Sequence, residues 1–282
     1  MGNRIYGSEK RDATINKYSH RKFTKSNCMD WLDTLEDGSV NLWIIDPPYN
    51  VLTGNMKNKN GAAVFHSRYT AQVTPSESDM EKGMVTPRFE VAIPWEEQAK
   101  LEDYREWCYS WYCKAHAKLV DDSFMFIFWS MKYLYLAYQI FDVNRVIFWQ
   151  QPNMISSISG DFCYDITPII VVRKGNARLN KEAGLWDKSS VLNFTKPQGN
   201  YKDDKLCHPT QKPRKLLEHL VWLSDADHEG YVIGDFFAGS GSLLRAVNKA
   251  DVILCDLNDE YYDKFFDIYV TDERIYRCEK IK

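Results

Sequence analysis

The run Val40-Asn41-Leu42-Trp43-Ile44-Ile45 constrains this chain more than any other stretch. It is apolar on both faces that a strand presents, so both faces must be covered. That pattern belongs to an interior strand of a parallel sheet. The run ends on Asp46-Pro47-Pro48-Tyr49-Asn50, where two prolines stop the strand and stiffen the chain beyond it. An acid and an aromatic ring on so stiff a backbone offer two acceptors, the carboxylate and a main-chain carbonyl, beside a flat stacking surface. Those groups suit a planar ring carrying an exocyclic amine. A rigid turn after a strand is the plainer account of the same residues.

The rest of the sequence alternates. Residues 1–22 read as an irregular arm, and 28–36 as a short amphipathic helix. Residues 51–100 are polar, with Gly54, Gly61 and Gly83, and read as an insert or lid loop. Helices are expected over 101–119, 131–141, 212–224, 241–249 and 259–268, and strands over 123–129, 143–149, 166–172, 231–236 and 252–255. The tail ends in a further strand. This alternation predicts a mainly parallel, doubly wound α/β sheet. No repeat, low-complexity tract or linker interrupts it, so residues 1–282 are expected to form a single domain with a substantial core.

The net charge is −3, which does not suggest a nucleic-acid partner. Its distribution does. Residues 173–215 hold eleven Lys/Arg against four acids, and the first 25 residues hold seven against two. Two basic segments on a mildly acidic chain can present a phosphate-binding face; solvated loops are the alternative. Residues 174–207 are therefore read as a short basic target-recognition segment. The seven cysteines show no paired spacing, which implies reduced thiols and a cytoplasmic location, with no metal site. Met1 to Lys17 is polar and the apolar run Phe124 to Trp129 is too short to cross a bilayer, so no leader and no membrane partner are expected.

A second constellation lies after the apolar run Tyr231-Val232-Ile233. Asp235-Phe236-Phe237-Ala238-Gly239-Ser240-Gly241-Ser242 is a glycine-rich passage from strand to helix, a place where a ligand can approach the backbone. A tight turn that merely needs small residues explains the glycines equally well. Downstream, Asp256 closes the strand Val252-Ile253-Leu254-Cys255. A carboxylate there commonly accepts from a ribose diol, or it caps the next helix. The third element, His208-Pro209-Thr210-Gln211-Lys212-Pro213, is a polar turn entering a helix.

Together and in this order, the three elements resemble the S-adenosylmethionine-dependent amino methyltransferases that act on adenine or cytosine of DNA. Asp46-Pro47-Pro48-Tyr49 matches the catalytic box, Asp235 to Ser242 the cofactor box, and His208 to Pro213 the turn ahead of it. The catalytic box comes first, as in the permuted β group, and the resemblance covers residues 24–270. It implies a Rossmann-like sheet of seven strands, one of them antiparallel, with helices on both faces. It also implies that the strands ending at Asp46 and Asp235 lie side by side. Catalysis then falls to Asp46, Pro47, Pro48 and Tyr49. Cofactor binding falls to Asn27, Asp46, Pro47, His208, Thr210, Lys212, Asp235, Phe236, Phe237, Ala238, Gly239, Ser240, Gly241, Ser242 and Asp256. Where the family often has Gly-Asp-Cys this chain has Ser26-Asn27-Cys28, and the usual Thr of the cofactor box is Ser242.

The implied reaction is methylation of adenine N6 in double-stranded DNA by direct displacement after the base is flipped out. Asp46 and the Pro47 carbonyl would each take one N–H of the amine, and Tyr49 would stack on the base. Cytosine N4, adenine in RNA, and a catalytically silent nucleic-acid-binding subunit are the competing expectations. Homodimers are common among the β-group relatives.

Overall fold

Nine strands share one sheet among the described residues, and all but one run the same way. The computed structural model describes residues 14–49, 101–153, 165–198, 204–208 and 210–281. The strands are β1 (Arg21–Lys25), β2 (Val40–Ile45), β3 (Leu119–Phe128), β4 (Val143–Gln150), β5 (Ile166–Arg173), β6 (Val191–Asn193), β7 (Val232–Asp235), β8 (Asp251–Asp256) and β9 (Glu279–Ile281). Their order is β6-β4-β5-β3-β2-β7-β8-β1-β9, and β5 is the antiparallel member. Removing the three-residue edge strands β6 and β9 leaves the expected seven.

The helices are α1 (Cys28–Asp33), α2 (Leu101–Lys118), α3 (Leu134–Ile140), α4 (Arg214–Leu223), α5 (Glu260–Tyr269) and α6 (Glu273–Tyr276), with 3-10 turns at Met131–Tyr133 and Ser242–Ala246. The chain divides into two compact units. One comprises Met1–Pro48 and Cys108–Lys282, the other Tyr49–Trp107. The insert expected over 51–100 lies outside the described residues.

Strand β2 shows why both sheet faces must be covered. Leu42 and Ile44 join the buried cluster that includes Leu216, Leu217 and Leu220 of α4. Trp43 points the other way, and its indole N–H donates to the Ala115 carbonyl of α2 at 2.9 Å. Trp43 also fixes its neighbour. A Cβ on Gly234 of β7 would lie 2.1 Å from the Trp43 ring, so only glycine fits across this strand pair.

Two expectations fail for readable reasons. The helix predicted over 241–249 is only the 3-10 turn Ser242–Ala246, because the backbone is already extended at Val247 (φ −115°, ψ 132°). Its carbonyls are satisfied by arginines instead. Arg21 donates to the Leu244 and Val247 carbonyls at 3.1 and 3.0 Å, and Arg274 to that of Arg245 at 2.6 Å. The arm read over 1–22 runs into β1, a strand whose alternating burial carries Phe23 inward between the polar Lys22 and Thr24.

The basic segment after β5 is divided by the sheet. Because β5 is antiparallel, Arg173 emerges at the amino edge of the other strands. There Lys174 donates to the Leu119 carbonyl at 2.6 Å, and Asn180 caps the end of α4 through the Leu223 and Trp222 carbonyls. The Asp187 carbonyl accepts from the buried His219 of α4 at 2.9 Å. Strand β6 then carries the chain across to the carboxyl edge, where Lys196 and Lys205 follow. Lys202 lies outside the described residues.

Candidate active site

The crossovers diverge between β2 and β7. From β2 the chain proceeds to β3 on one side; from β7 it proceeds to β8 on the other. In open α/β sheets a ligand crevice opens at the carboxyl ends of such a strand pair. Leu42 pairs with Ile233 and Trp43 with Gly234, so the strands β2 and β7 lie side by side, with Asp235 at the end of β7 and Asp46 just past the end of β2. The adjacency expected of two motifs nearly 190 positions apart is present.

Lys212 governs the catalytic box. Its ammonium donates to Asp46 Oδ2 and to the Thr210 carbonyl at 3.0 Å, and it sits 4.8 Å from the centre of the Phe128 ring. The Thr210 hydroxyl reaches the same Asp46 oxygen at 3.5 Å. Lys212 and Thr210 are expected among the cofactor residues; both reach the Asp46 carboxylate. Pro47 is buried, Pro48 is half-buried, and Tyr49 opens the second unit.

His208 joins this network on the other side. The Thr210 N–H donates to its Nδ1 at 3.2 Å, which places the ring proton on Nε2. Withdrawal from water, with Lys212 and Lys196 adding repulsion, pushes His208 down to about 3, so it stays neutral. Its ring meets Tyr261 edge-on at 4.3 Å and faces Gly239, where a Cβ would stand 3.6 Å from Nε2.

The cofactor box behaves as a shaped turn. Gly239 (φ 51°) and Gly241 (φ 78°) hold left-handed conformations that a side chain resists. A Cβ on Gly241 would also come within 3.1 Å of Tyr262. Ala238 N–H donates to the Cys255 carbonyl, which ties the turn to β8. Phe236 is a core side chain, lying between Trp43 and Trp111, and Phe237 also meets Trp111. Their side chains serve packing, so what they offer a ligand is main chain. Ser240 is buried, and Ser242 starts the 3-10 turn.

Three carboxylates converge here. Loss of water raises Asp235 well above its ordinary value; a hydrogen bond from the Phe237 N–H opposes this, and Asp46 and Asp256 push it further up. Asp256 is raised by burial against the N–H groups it accepts, Asn258 at 2.9 Å and Gly239 at 2.7 Å. It is not a helix cap, since Asp259 holds that position on α5. Asn27 stands beside it, because the neighbouring Ser26 N–H donates to the Asp256 carbonyl. The Asn27 side chain caps α1 by accepting from Met29 at 2.8 Å.

The sequence did not single out three of the residues that shape this site. Lys196 was visible only as one base in a run. Asn153 clamps its backbone, accepting from its N–H at 2.9 Å and donating to its carbonyl at 3.0 Å. Burial and Lys212 push Lys196 down to about 8, with Asp46 pulling the other way. Gln211 is buried and accepts from Cys207 N–H at 3.0 Å, while Asp204 accepts from the Arg214 N–H at 2.9 Å. These bonds hold the turn that presents Thr210 and Lys212. The position of Gln211 inside the motif was the only advance signal.

Comparison with known proteins agrees with this geometry. Residues 40–267 match the model of a family described as DNA methylase. The chain is 24% identical over 286 residues to the type II methyltransferase M.HpaI of Haemophilus parainfluenzae, covering 90% of this chain and 78% of that protein. It is 24% identical over 291 residues to M1.MboII of Moraxella bovis, covering 86% and 94%. Among solved structures, the M1.HpyAVI–SAM complex superposes with a TM-score of 0.56 at 18% identity, covering 88% of this chain and 98% of that one. The cytosine-N4-specific PvuII DNA methyltransferase superposes with a TM-score of 0.57 at 14% identity, covering 99% of both.

Proposed function

The chain belongs to the DNA methylase family of N6-adenine and N4-cytosine amino methyltransferases, which use S-adenosylmethionine, and from that premise we propose that it methylates adenine N6 in DNA. The observation that carries this reading is the Asp46 carboxylate, held by Lys212 at the end of β2, the strand paired with β7, whose Asp235 opens the glycine turn. An acid at the first position of the catalytic box, rather than serine, favours adenine over cytosine.

The residues present fit the cofactor. Two glycines remove Cβ atoms from the turn, and Asp256 ends β8 where a ribose diol needs an acceptor. Asp235 adds a carboxylate facing a ligand that carries positive charge. When bound, S-adenosylmethionine supplies an electrophilic methyl group on a sulfonium.

The chain's own part is to prepare the amine. An exocyclic amine is a weak nucleophile because its lone pair is delocalised into the ring. Asp46 Oδ1 and the Pro47 carbonyl take one N–H each, which favours a tetrahedral nitrogen and turns its lone pair across the crevice. Lys212 and Thr210 hold Oδ2, so the carboxylate cannot rotate away as the amine binds. Positioning and fixed charge then supply most of the rate. The base must leave the duplex to reach this depth. Lys196 and Lys205, at the carboxyl edge, meet the DNA backbone; Arg178, Lys181 and Lys188, at the amino edge, do not. A homodimer is the assembly that the β-group resemblance implies.

The test is transfer from methyl-labelled cofactor to duplex DNA and to RNA, followed by digestion and mass spectrometry of the nucleosides. N6-methyladenosine from DNA supports the reading. N4-methylcytidine alone, or label only in RNA, refutes it.

A further inference from the structure

Asp256 carries more bonds than a ribose acceptor needs. Its Oδ2 accepts the Gly239 N–H at 2.7 Å and its Oδ1 accepts the Asn258 N–H at 2.9 Å. Its carbonyl accepts the Ser26 N–H at 3.0 Å. One residue therefore joins the glycine turn after β7, the approach to α5 and the exit of β1.

The bond to Gly239 is the unusual one. In a glycine-rich turn the main-chain N–H groups are the natural donors to a ligand. Here the N–H of the residue at φ 51° is held by a side chain from the next strand. The rest of the turn is fixed locally, by Gly241 N–H on the Ala238 carbonyl at 2.7 Å and by Ala238 N–H on the Cys255 carbonyl at 3.0 Å. Gly239 lies between these two ties, and Asp256 sets the direction of its peptide. Asp235, which opens the turn, feels both Asp46 and Asp256. A cofactor with its ribose at Asp256 and its reactive end toward Asp46 thus passes over the Gly239–Gly241 turn.

We propose that Asp256 is a positioning residue for the glycine turn, so that ribose recognition and the seat of the cofactor's amino-acid arm depend on one carboxylate. This rests on the reading of Asp256 as the ribose acceptor. A carboxylate has about four acceptor directions, so diol donors add to the bonds already present. The ribose and the turn then share one carboxylate.

Two ligands separate the roles. 5′-Deoxy-5′-methylthioadenosine has the nucleoside and lacks the amino-acid arm; S-adenosylhomocysteine has both. Their dissociation constants would be measured by calorimetry on the full chain and on Asp256→Ala, with the melting curve of each ligand-free protein as a folding control. If Asp256 also sets the turn, Asp256→Ala weakens S-adenosylhomocysteine more than methylthioadenosine. The affinity ratio of the two should change by about tenfold or more, as for loss of a hydrogen bond to a charged group. Equal losses for the two ligands overturn the proposal and leave the ribose reading standing. A loss confined to S-adenosylhomocysteine removes the ribose reading and so overturns the shared dependence, leaving Asp256 a role in the turn alone. No loss for either overturns both. Asp256→Asn keeps the size and one acceptor; it shows the same ordering with smaller changes, and decides the matter if the alanine variant does not fold.

Discussion

Replacing Lys212 with methionine tests the site at its centre. Methionine keeps the apolar stem that crosses Phe128 and removes the ammonium that holds Asp46. The Lys212 and Asp46 side chains are 9% and 18% exposed, so the pair is shielded from water without being sealed from it. Deleting one partner of a fully buried pair costs about 3–5 kcal/mol, because the survivor is left as an uncompensated charge. Residual exposure here reduces that to roughly 2–4 kcal/mol, by the screening that weakens exposed pairs. For a chain of this size that lowers the melting temperature by roughly 3–7 °C. Catalysis should fall further than stability, since the carboxylate proposed to take the amine N–H loses its fixed orientation. Loss of one preorganised electrostatic group typically costs about 10²–10³ in kcat.

The double variant Lys212→Met/Asp46→Asn separates these effects. Neutralising both partners removes the stranded charge, so much of the lost stability returns while methyl transfer does not. The assay is thermal melting of all four proteins as a double-mutant cycle, with single-turnover methyl transfer on duplex DNA. A Lys212→Met protein that melts and turns over like the parent refutes the argument, and so does a double variant destabilised by the full sum of the single changes.

The other predictions concern charge. Asp235 is raised by burial and by two neighbouring carboxylates, and a cationic ligand favours its ionised form. Binding of S-adenosylmethionine should therefore release protons and weaken as pH falls; calorimetry in buffers of different ionisation enthalpy measures this, and an enthalpy independent of buffer refutes it. Lys196 is pushed down to about 8 from an ordinary 10.5, so between those values the unfolded chain binds more protons and stability rises with pH. In Lys196→Met that part of the rise should vanish from denaturation midpoints, and an unchanged slope across the same window contradicts the placement. Charge removal at Lys196 and Lys205 should lower DNA affinity and flatten its salt dependence, whereas removal at Arg178, Lys181 and Lys188 should leave the salt slope as it was. A flattened slope from the second set alone would place the DNA on the opposite edge.

Much of the architecture was legible because it is written in local terms. A six-residue apolar run has to be an interior strand, and Asp-Pro-Pro has to end it. What escaped was settled by distant residues. Nothing around Gly241 announces that the helix after it is curtailed to one short turn. That outcome depends on Arg21 and Arg274, more than 220 and nearly 30 positions from Leu244 and Arg245, which take over the carbonyls a longer helix would have used. Strand β6 escaped because three residues carry too little periodicity to register. Yet it decides which half of a continuous basic segment shares an edge with Asp46.

The role of Lys212 escaped for a different reason. In sequence it belongs with His208 and Thr210, 166 positions from Asp46, and proximity along the chain suggests a shared task with the cofactor turn downstream. The fold places the start of α4 under the end of β2, so the motif spans the crevice: His208 lies against Gly239, and Thr210 and Lys212 lie against Asp46. A single short turn can therefore serve two ends at once, with its aromatic residue seating the glycine turn and its cation setting the acid. This division explains why the turn must be rigid. A shift of Gln211 or Asp204, which hold it from beneath, would move the proposed acceptor of the amine and the proposed seat of the methyl donor together, and in the proposed reaction the distance between those two is decisive.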